Sequence, residues 1–254
     1  MLLTIDIGNS NTVLGVFDGE RLAHSWRIRT DARSTADELA LTFRGLLQGY
    51  EIDGISACST VPASMRELRA MIGAYYPGVR MLLVEPGVRT GVSLLYDNPK
   101  EVGADRIVNT LAAFHLVRGP AVVVDFGTST NFDVVSAKGE FLGGALAPGI
   151  EISLDALASR AAQLRMVELV EPRSPIGKST VEALQSGILY GFAGQVDGLV
   201  HRLRAELAPK DPEGVEVIAT GGLAPLMIPI SKTLTRHEPD LTLLGLRLIF
   251  ERNV

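Results

Sequence analysis

Two stretches of this sequence follow one plan at a distance of 119 residues. Each has an apolar run, a turn that opens on Asp-x-Gly, a second β-rich run, another tight turn and a third run. The first comprises Leu2 to Ile7, Gly8-Asn9-Ser10-Asn11, Thr12 to Phe17, Asp18-Gly19 and Arg21 to Ile28. The second comprises Ala121 to Phe126, Gly127-Thr128-Ser129-Thr130, Phe132 to Val135, Lys138-Gly139 and Phe141 to Ala147. Aligning Asp6 with Asp125 (125 − 6 = 119) sets Gly8 on Gly127, Asn9 on Thr128 and Ser10 on Ser129. Short β-rich runs separated by Gly, Asn and Asp turns predict a three-stranded meander in each copy. A repeat this long implies two lobes rather than a solenoid. With 254 residues, 46% of them hydrophobic, the chain is long enough to give each lobe its own core.

Between and after the meanders the period changes from two to that of a helix. Thr35 and Glu38 have capping-box spacing ahead of Leu39, Phe43, Leu46 and Leu47, which predicts a helix from about Thr35. A strand over Ile52 to Thr60 precedes a helix from Pro62 to Tyr76, and Met81 to Val84 is a short strand. Pro86 to Pro99 reads as irregular, and Ala104 to Val117 as a helix closed by Gly119-Pro120. That pair is the expected boundary between lobes 1–118 and 119–254. In the second half the pattern predicts helices over Ile150 to Gln163 and Ser179 to Leu207, a strand at Glu216 to Ala219 and a turn at Thr220-Gly221-Gly222. A closing helix at Leu241 to Arg252 is expected, packing back on the first lobe. Gly187, Gly191 and Gly194 share one face of the long helix, where small residues suit close packing. The fold class is α/β.

Charge and cysteine usage narrow the function. The formal net charge is −5 and no dense Lys/Arg run could neutralise a row of phosphates, so nucleic acid is not an expected partner. Cys58 is the single cysteine, which rules out an intrachain disulfide and fits a reducing cytosol; the four histidines are too scattered for a zinc site. The amino terminus reaches a carboxylate at its sixth residue and reads as a strand, not a signal peptide. No apolar run approaches a membrane span. A cytoplasmic protein is the expectation.

A strand–Asp-x-Gly–strand turn suits triphosphate binding. Glycine permits positive φ and leaves amides uncovered, successive amides make an anion-binding concavity, and Asn9, Ser10 or Thr128 can add bonds to phosphate oxygens. The aspartate at the strand end faces the accompanying cation. Magnesium takes only one or two carboxylates, so Asp6 and Asp125 could hold it directly or through water. One such turn is ordinary hairpin chemistry; two equivalent turns in two lobes point to a nucleotide cleft. Ala219-Thr-Gly221-Gly222 is a strand end where adenosine could lie close to the backbone. Pro172-Arg-Ser-Pro-Ile-Gly177-Lys178-Ser179 ends like a P-loop, but its two prolines lack the N–H groups of a phosphate cradle. Gly103-Ala104-Asp105-Arg106 opens a helix, whose amide end favours anions. There Asp105 could accept a substrate hydroxyl's proton and orient it for in-line attack, with Arg106 on the substrate's anionic end.

Asp6-Ile-Gly-Asn-Ser-Asn-Thr12, Gly103-Ala-Asp-Arg106, Asp125-Phe-Gly-Thr-Ser129 and Thr220-Gly-Gly222, in this order, resemble the type III pantothenate kinases. Pro148-Gly-Ile150 and Gly245-Leu-Arg-Leu-Ile-Phe-Glu-Arg-Asn253 extend the resemblance over nearly the whole chain. The resemblance implies two duplicated ribonuclease-H-like lobes of the actin-like ATPase type, with ATP in the cleft between them. It implies phosphorylation of pantothenate to 4'-phosphopantothenate, the first step towards coenzyme A, by a homodimer. The competing expectations are a kinase of another small hydroxylated or carboxylated metabolite, or a nucleotide-binding regulator without activity. By resemblance Asp105 is the catalytic base. ATP falls to Asp6, Ile7, Gly8, Asn9, Ser10, Asn11, Thr12, Val13 and Thr128, joined by Gly221 and Gly222. Pantothenate falls to Tyr96, Gly103, Ala104, Asp105, Arg106 and Thr180. The resemblance moves Asp125 from magnesium to a monovalent cation, K⁺ or NH₄⁺, and leaves Mg²⁺ to Asp6.

Overall fold

The computed structural model describes residues 1–160 and 167–254. It divides into two units, one of Met1–Val92, Asp97–Ala112 and Leu241–Val254, the other of Ser93–Tyr96 and Ala113–Asp240.

The first unit is built on β1 (Leu2–Ile7), β2 (Asn11–Asp18), β3 (Arg21–Arg29), β4 (Gly54–Ser59) and β5 (Arg80–Leu83), in the sheet order β3-β2-β1-β4-β5. The meander is antiparallel, while β4 and β5 join parallel to β1. β1 is the central strand, and its alternation sorts two faces. Leu3, Ile5 and Ile7 pack with Phe43 of α1 (Ala36–Leu46) and Leu68 and Met71 of α2 (Pro62–Tyr75). The expected capping box of α1 is present: Thr35 Oγ1 accepts the Glu38 N–H at 3.3 Å, and the Glu38 carboxylate accepts the Thr35 N–H at 2.8 Å. On the opposite face α3 begins at Ala104, and the last helix of the chain, Leu241–Asn253, packs on the sheet through Leu246 and Ile249 beside Cys58 and Val108. Ser56 Oγ also donates to the Leu246 carbonyl at 2.9 Å. The closing helix therefore completes the core of the first unit.

The second unit repeats the plan with β6 (Ala121–Phe126), β7 (Ser129–Val135), β8 (Phe141–Pro148), β9 (Glu216–Thr220) and β10 (Arg236–His237), ordered β10-β9-β6-β7-β8. Strand directions match the first sheet one for one: antiparallel meander, then two parallel strands beside its first member. Val122, Val124 and Phe126 pack on α4 (Ile150–Arg160) and α5 (Thr180–Leu207), joined by α6 (Ala224–Met227). α3 spans Ala104–Val117 and α7 is the closing helix Leu241–Asn253. The tail of the helix expected over Ile150 to Gln163 lies outside the described residues from Ala161 on. β10 and α6, of two and four residues, are too short to carry a periodic signal.

One packing expectation fails. Gly187, Gly191 and Gly194 are exposed on α5, and among the described residues no atom lies within 4 Å of where a Cβ would stand. Gly198 continues this bare stripe.

Candidate active site

Asp6 stands one residue from the end of β1 on the α3/α7 face, because Ile7 beside it is committed to the other face. Its parallel neighbour across the sheet is Cys58 of β4, whose thiol donates to Asp6 Oδ1 at 3.4 Å. Cys58 is fully buried. Burial first, then the charges of Asp6 and Asp105, pushes its thiol well above the ordinary range and keeps it protonated. Cys58 therefore lies within the electrostatic reach of both carboxylates.

Asp105 sits in the first turn of α3, where exposed amides favour an anion. Its Oδ1 is shielded from solvent and has no hydrogen-bond partner among the described residues. Desolvation raises the carboxyl's pKa, partly opposed by the Arg106 backbone N–H and the Arg106 charge. A Cβ on Gly103 would collide with that Oδ1, so the glycine of Gly103-Ala-Asp-Arg106 makes room for the carboxylate. A cavity of about 240 Å³ in this unit is separate from these groups. Ile7, Thr12, Phe43 and Ser64 line it on the α1/α2 face.

The two Asp-x-Gly turns differ in detail. The first is closed by Gly8 N–H to the Asn11 carbonyl and the second by Gly127 N–H to the Ser129 carbonyl, each at 3.0 Å. Ile7 pairs with Thr12 and Phe126 with Thr130, so past the turn the repeat offset is 130 − 12 = 118. The second turn is one residue shorter. Neither Gly8 nor Gly127 has positive φ, contrary to expectation, and both glycine amides are spent in closing the turns. The left-handed glycine is Gly221, with φ +87°. A Cβ there would stand 2.5 Å from Asp125 Oδ1 and 2.6 Å from the Phe126 carbonyl. Two oxygens thus crowd the place a side chain would take, which restricts position 221 to glycine beside Asp125.

Tyr96, Thr128 and Thr180 lie in the second unit. Tyr96 lies on the segment that bridges to β8 through Leu94 and Phe141; its ring covers Gly143 and stands 5.8 Å from that of Phe141. Thr128 accepts the Gly149 N–H through its carbonyl at 3.1 Å, which places Pro148-Gly-Ile150 against the second turn. Thr180 is exposed as the first residue of α5. The P-loop look-alike is a loop folded onto that helix start. Ser179 Oγ accepts the Glu182 N–H at 3.2 Å, but the Glu182 carboxylate turns to the Lys178 N–H and Arg173 instead of completing a capping box.

The type III pantothenate kinase family matches residues 2–202. A type III pantothenate kinase of Parafrankia sp. (strain EAN1pec) is 68% identical over 253 residues, 100% of this chain and 98% of that protein. The chain belongs to the type III pantothenate kinase family. Solved structures support the α/β fold of this kinase. A protein from Campylobacter jejuni described as a Baf family transcriptional activator superposes with TM-score 0.61 at 18% identity, covering 99% of this chain and 98% of that one. The ROK hexokinase of Thermus thermophilus gives 0.51 at 17%, covering 98% and 97%. At these identities both speak for the fold alone. Cys58 is the residue that sequence reasoning passed over at this kinase's candidate site, having been weighed only as a disulfide partner. Its signal was its place near the end of the strand that runs parallel to the one bearing Asp6.

Proposed function

We propose that the chain transfers the γ-phosphoryl group of ATP to the hydroxyl of pantothenate, giving 4'-phosphopantothenate and ADP at the entry to coenzyme A biosynthesis. The observation that carries the site assignment is Asp105, a shielded carboxylate at a helix start with an oxygen unpartnered among the described residues, in a unit whose first strand ends in the Asp6 turn. The pantothenate hydroxyl gives its proton to Asp105. A bond forms from the hydroxyl oxygen to the γ-phosphorus, and the bond from that phosphorus to the bridging oxygen of ADP breaks. A carboxyl whose pKa burial has raised is a better base than an exposed one, but the larger gain is orientation of the hydroxyl.

The other roles follow the same reading. Residues 6–13 with Thr128, Gly221 and Gly222 bind ATP. The Gly8 amide serves the turn, so phosphate contacts fall to the rest of that segment. Gly103, Ala104, Arg106, Tyr96 and Thr180 bind pantothenate, Arg106 answering its carboxylate. Asp6 would hold Mg²⁺, directly or through water. The described residues contain no cluster of three or more acidic, histidine or cysteine ligands, which suits an ion that completes its shell with phosphates and water. When bound, that ion offsets phosphate charge. Asp125 Oδ1 and the Phe126 carbonyl, both close to Gly221, are hard oxygen donors of the kind that would hold K⁺ or NH₄⁺.

The two lobes of the duplicated plan are 1–118 and 119–254, with the closing helix serving the first. A homodimer is supported by what the second unit leaves uncovered. The glycine face of α5 admits close approach of another helix, and β8 at the sheet edge exposes Leu142 and Leu146. A cytoplasmic location agrees with one buried cysteine as a thiol and with no described helix long and apolar enough to cross a membrane. Labelled ATP offered with a panel of acceptors tests the substrate. Label is expected in pantothenate in preference to sugars and simple carboxylates, and equal labelling of a sugar would overturn the assignment.

A further inference from the structure

We infer that Cys58 is a positioning residue for the nucleotide–metal end of the reaction, acting through a hydrogen bond from its thiol to Asp6 Oδ1. The bond measures 3.4 Å, within the range of a sulfur donor, and joins residues that are direct register partners on adjacent parallel strands. In this pair the thiol is the donor and a carboxylate oxygen the acceptor, so the bond runs from Cys58 to Asp6.

The physical need for such a bond lies in Asp6. Its carboxylate ends a short side chain near the end of the central strand, and the last torsion of aspartate is broad and roughly two-fold. Each bond the carboxylate accepts narrows the orientations it samples, and only some of these direct an oxygen at a phosphate-bound cation. Cys58 is the stiffer of the pair. It is fully buried on β4 in the cluster of Val84, Val108, Leu111, Leu246 and Ile249. Val108 and Leu111 are on α3, the helix that carries Asp105. One buried side chain thus bonds the proposed metal ligand and packs against the helix of the proposed base, tying both to one core. The equivalent place in the second sheet, beside Asp125, is held by Thr220, also buried and also carrying a hydroxyl donor.

This inference rests on the reading of Asp6 as the Mg²⁺ and phosphate residue. Three changes at Cys58 separate donation from packing: Cys58→Ser keeps a donor, while Cys58→Ala underfills the site and Cys58→Val overfills it without one. Initial rates of the full-length kinase are measured against Mg²⁺, ATP and pantothenate, with thermal midpoints alongside and Asp6→Asn as reference. Cys58→Ala and Cys58→Val are expected to raise the Mg²⁺ half-saturation and the ATP KM roughly 10-fold, as loss of an outer partner of a metal ligand does. The pantothenate KM should move less than about twofold, and Cys58→Ser should recover most of the loss. Unchanged Mg²⁺ and ATP dependence in the folded donor-less variant would overturn the inference. So would a serine variant as impaired as the valine one. If Asp6→Asn itself left those dependences untouched, the reading of Asp6 would fall first. If Asp6→Asn is impaired and Cys58→Ala is not, only the positioning role fails.

Discussion

The two sheets have the same strand order and directions, yet their corresponding strand ends are furnished differently. Beside Asp6 stands a buried thiol, and the chain leaves β4 for a helix of 14 residues. Beside Asp125 stands Thr220, and the chain leaves β9 through Gly221, whose left-handed conformation and close approach to the carboxylate exclude a side chain. The first unit also holds the start of α3, which brings Asp105. Duplication gives two equivalent scaffold positions; the elements that follow each strand decide what chemistry they hold.

Breaking the asymmetry at its most consequential point should have the largest effect. Asp105→Asn is expected to lower kcat by about 1,000-fold while leaving the fold intact, since a positioned base contributes on that order. Its stability should move the other way. A carboxyl whose pKa is raised on folding binds protons more tightly when folded, so wild-type stability declines as pH rises from the usual carboxylate value through the raised one. Asp105→Asn removes that decline. Its thermal midpoint should exceed wild type above this window and converge with it in acid, as melting curves from pH 3 to 8 would reveal.

Next come the paired aspartates. Asp6→Asn should cost roughly 100-fold in kcat/KM at any potassium concentration, reflecting a few kcal/mol of lost phosphate-charge stabilisation. Asp125→Asn should instead change the potassium dependence, raising the concentration for half-maximal rate. Identical potassium profiles for the two variants would erase the distinction.

A smaller effect separates the glycines. Gly221→Ala combines positive φ with a Cβ 2.5 Å from Asp125 Oδ1, and is expected to cost about 2 kcal/mol in denaturant unfolding and to weaken ATP. Gly8→Ala meets only the Asn11 carbonyl at 3.1 Å without positive φ, and should cost less than about 1 kcal/mol. The smallest change in stability belongs to Leu146→Arg on exposed β8. It should leave the melting of the single chain nearly unaltered yet, on the proposed homodimer, shift light-scattering mass from dimer towards monomer.

Much of the scaffold was legible before any coordinates. The strands flanking Asp6 and Asp125 could be read because alternation, turn residues and the 119-residue repeat agree, and α3 because its helical period ends at Gly119-Pro120. Gly103 and Asp105 were visible as a helix-start motif, though not the fact that one makes room for the other. What stayed hidden depends on contacts between distant strands. Cys58 is 52 residues from Asp6, and only the parallel register makes them neighbours. The missing residue in the second turn was masked by Gly, Ser and Thr, which suit turns of either length. The glycines of α5 were misread because spacing identifies a face without saying what covers it.

The most direct test follows phosphorus itself. Wild-type enzyme with ATP, Mg²⁺, K⁺ and pantothenate, observed by ³¹P NMR, should produce one phosphomonoester for each ADP formed, and Asp105→Asn under the same conditions should produce almost none. ADP appearing without a phosphorylated pantothenate, or Asp105→Asn matching the wild-type rate, would contradict the account.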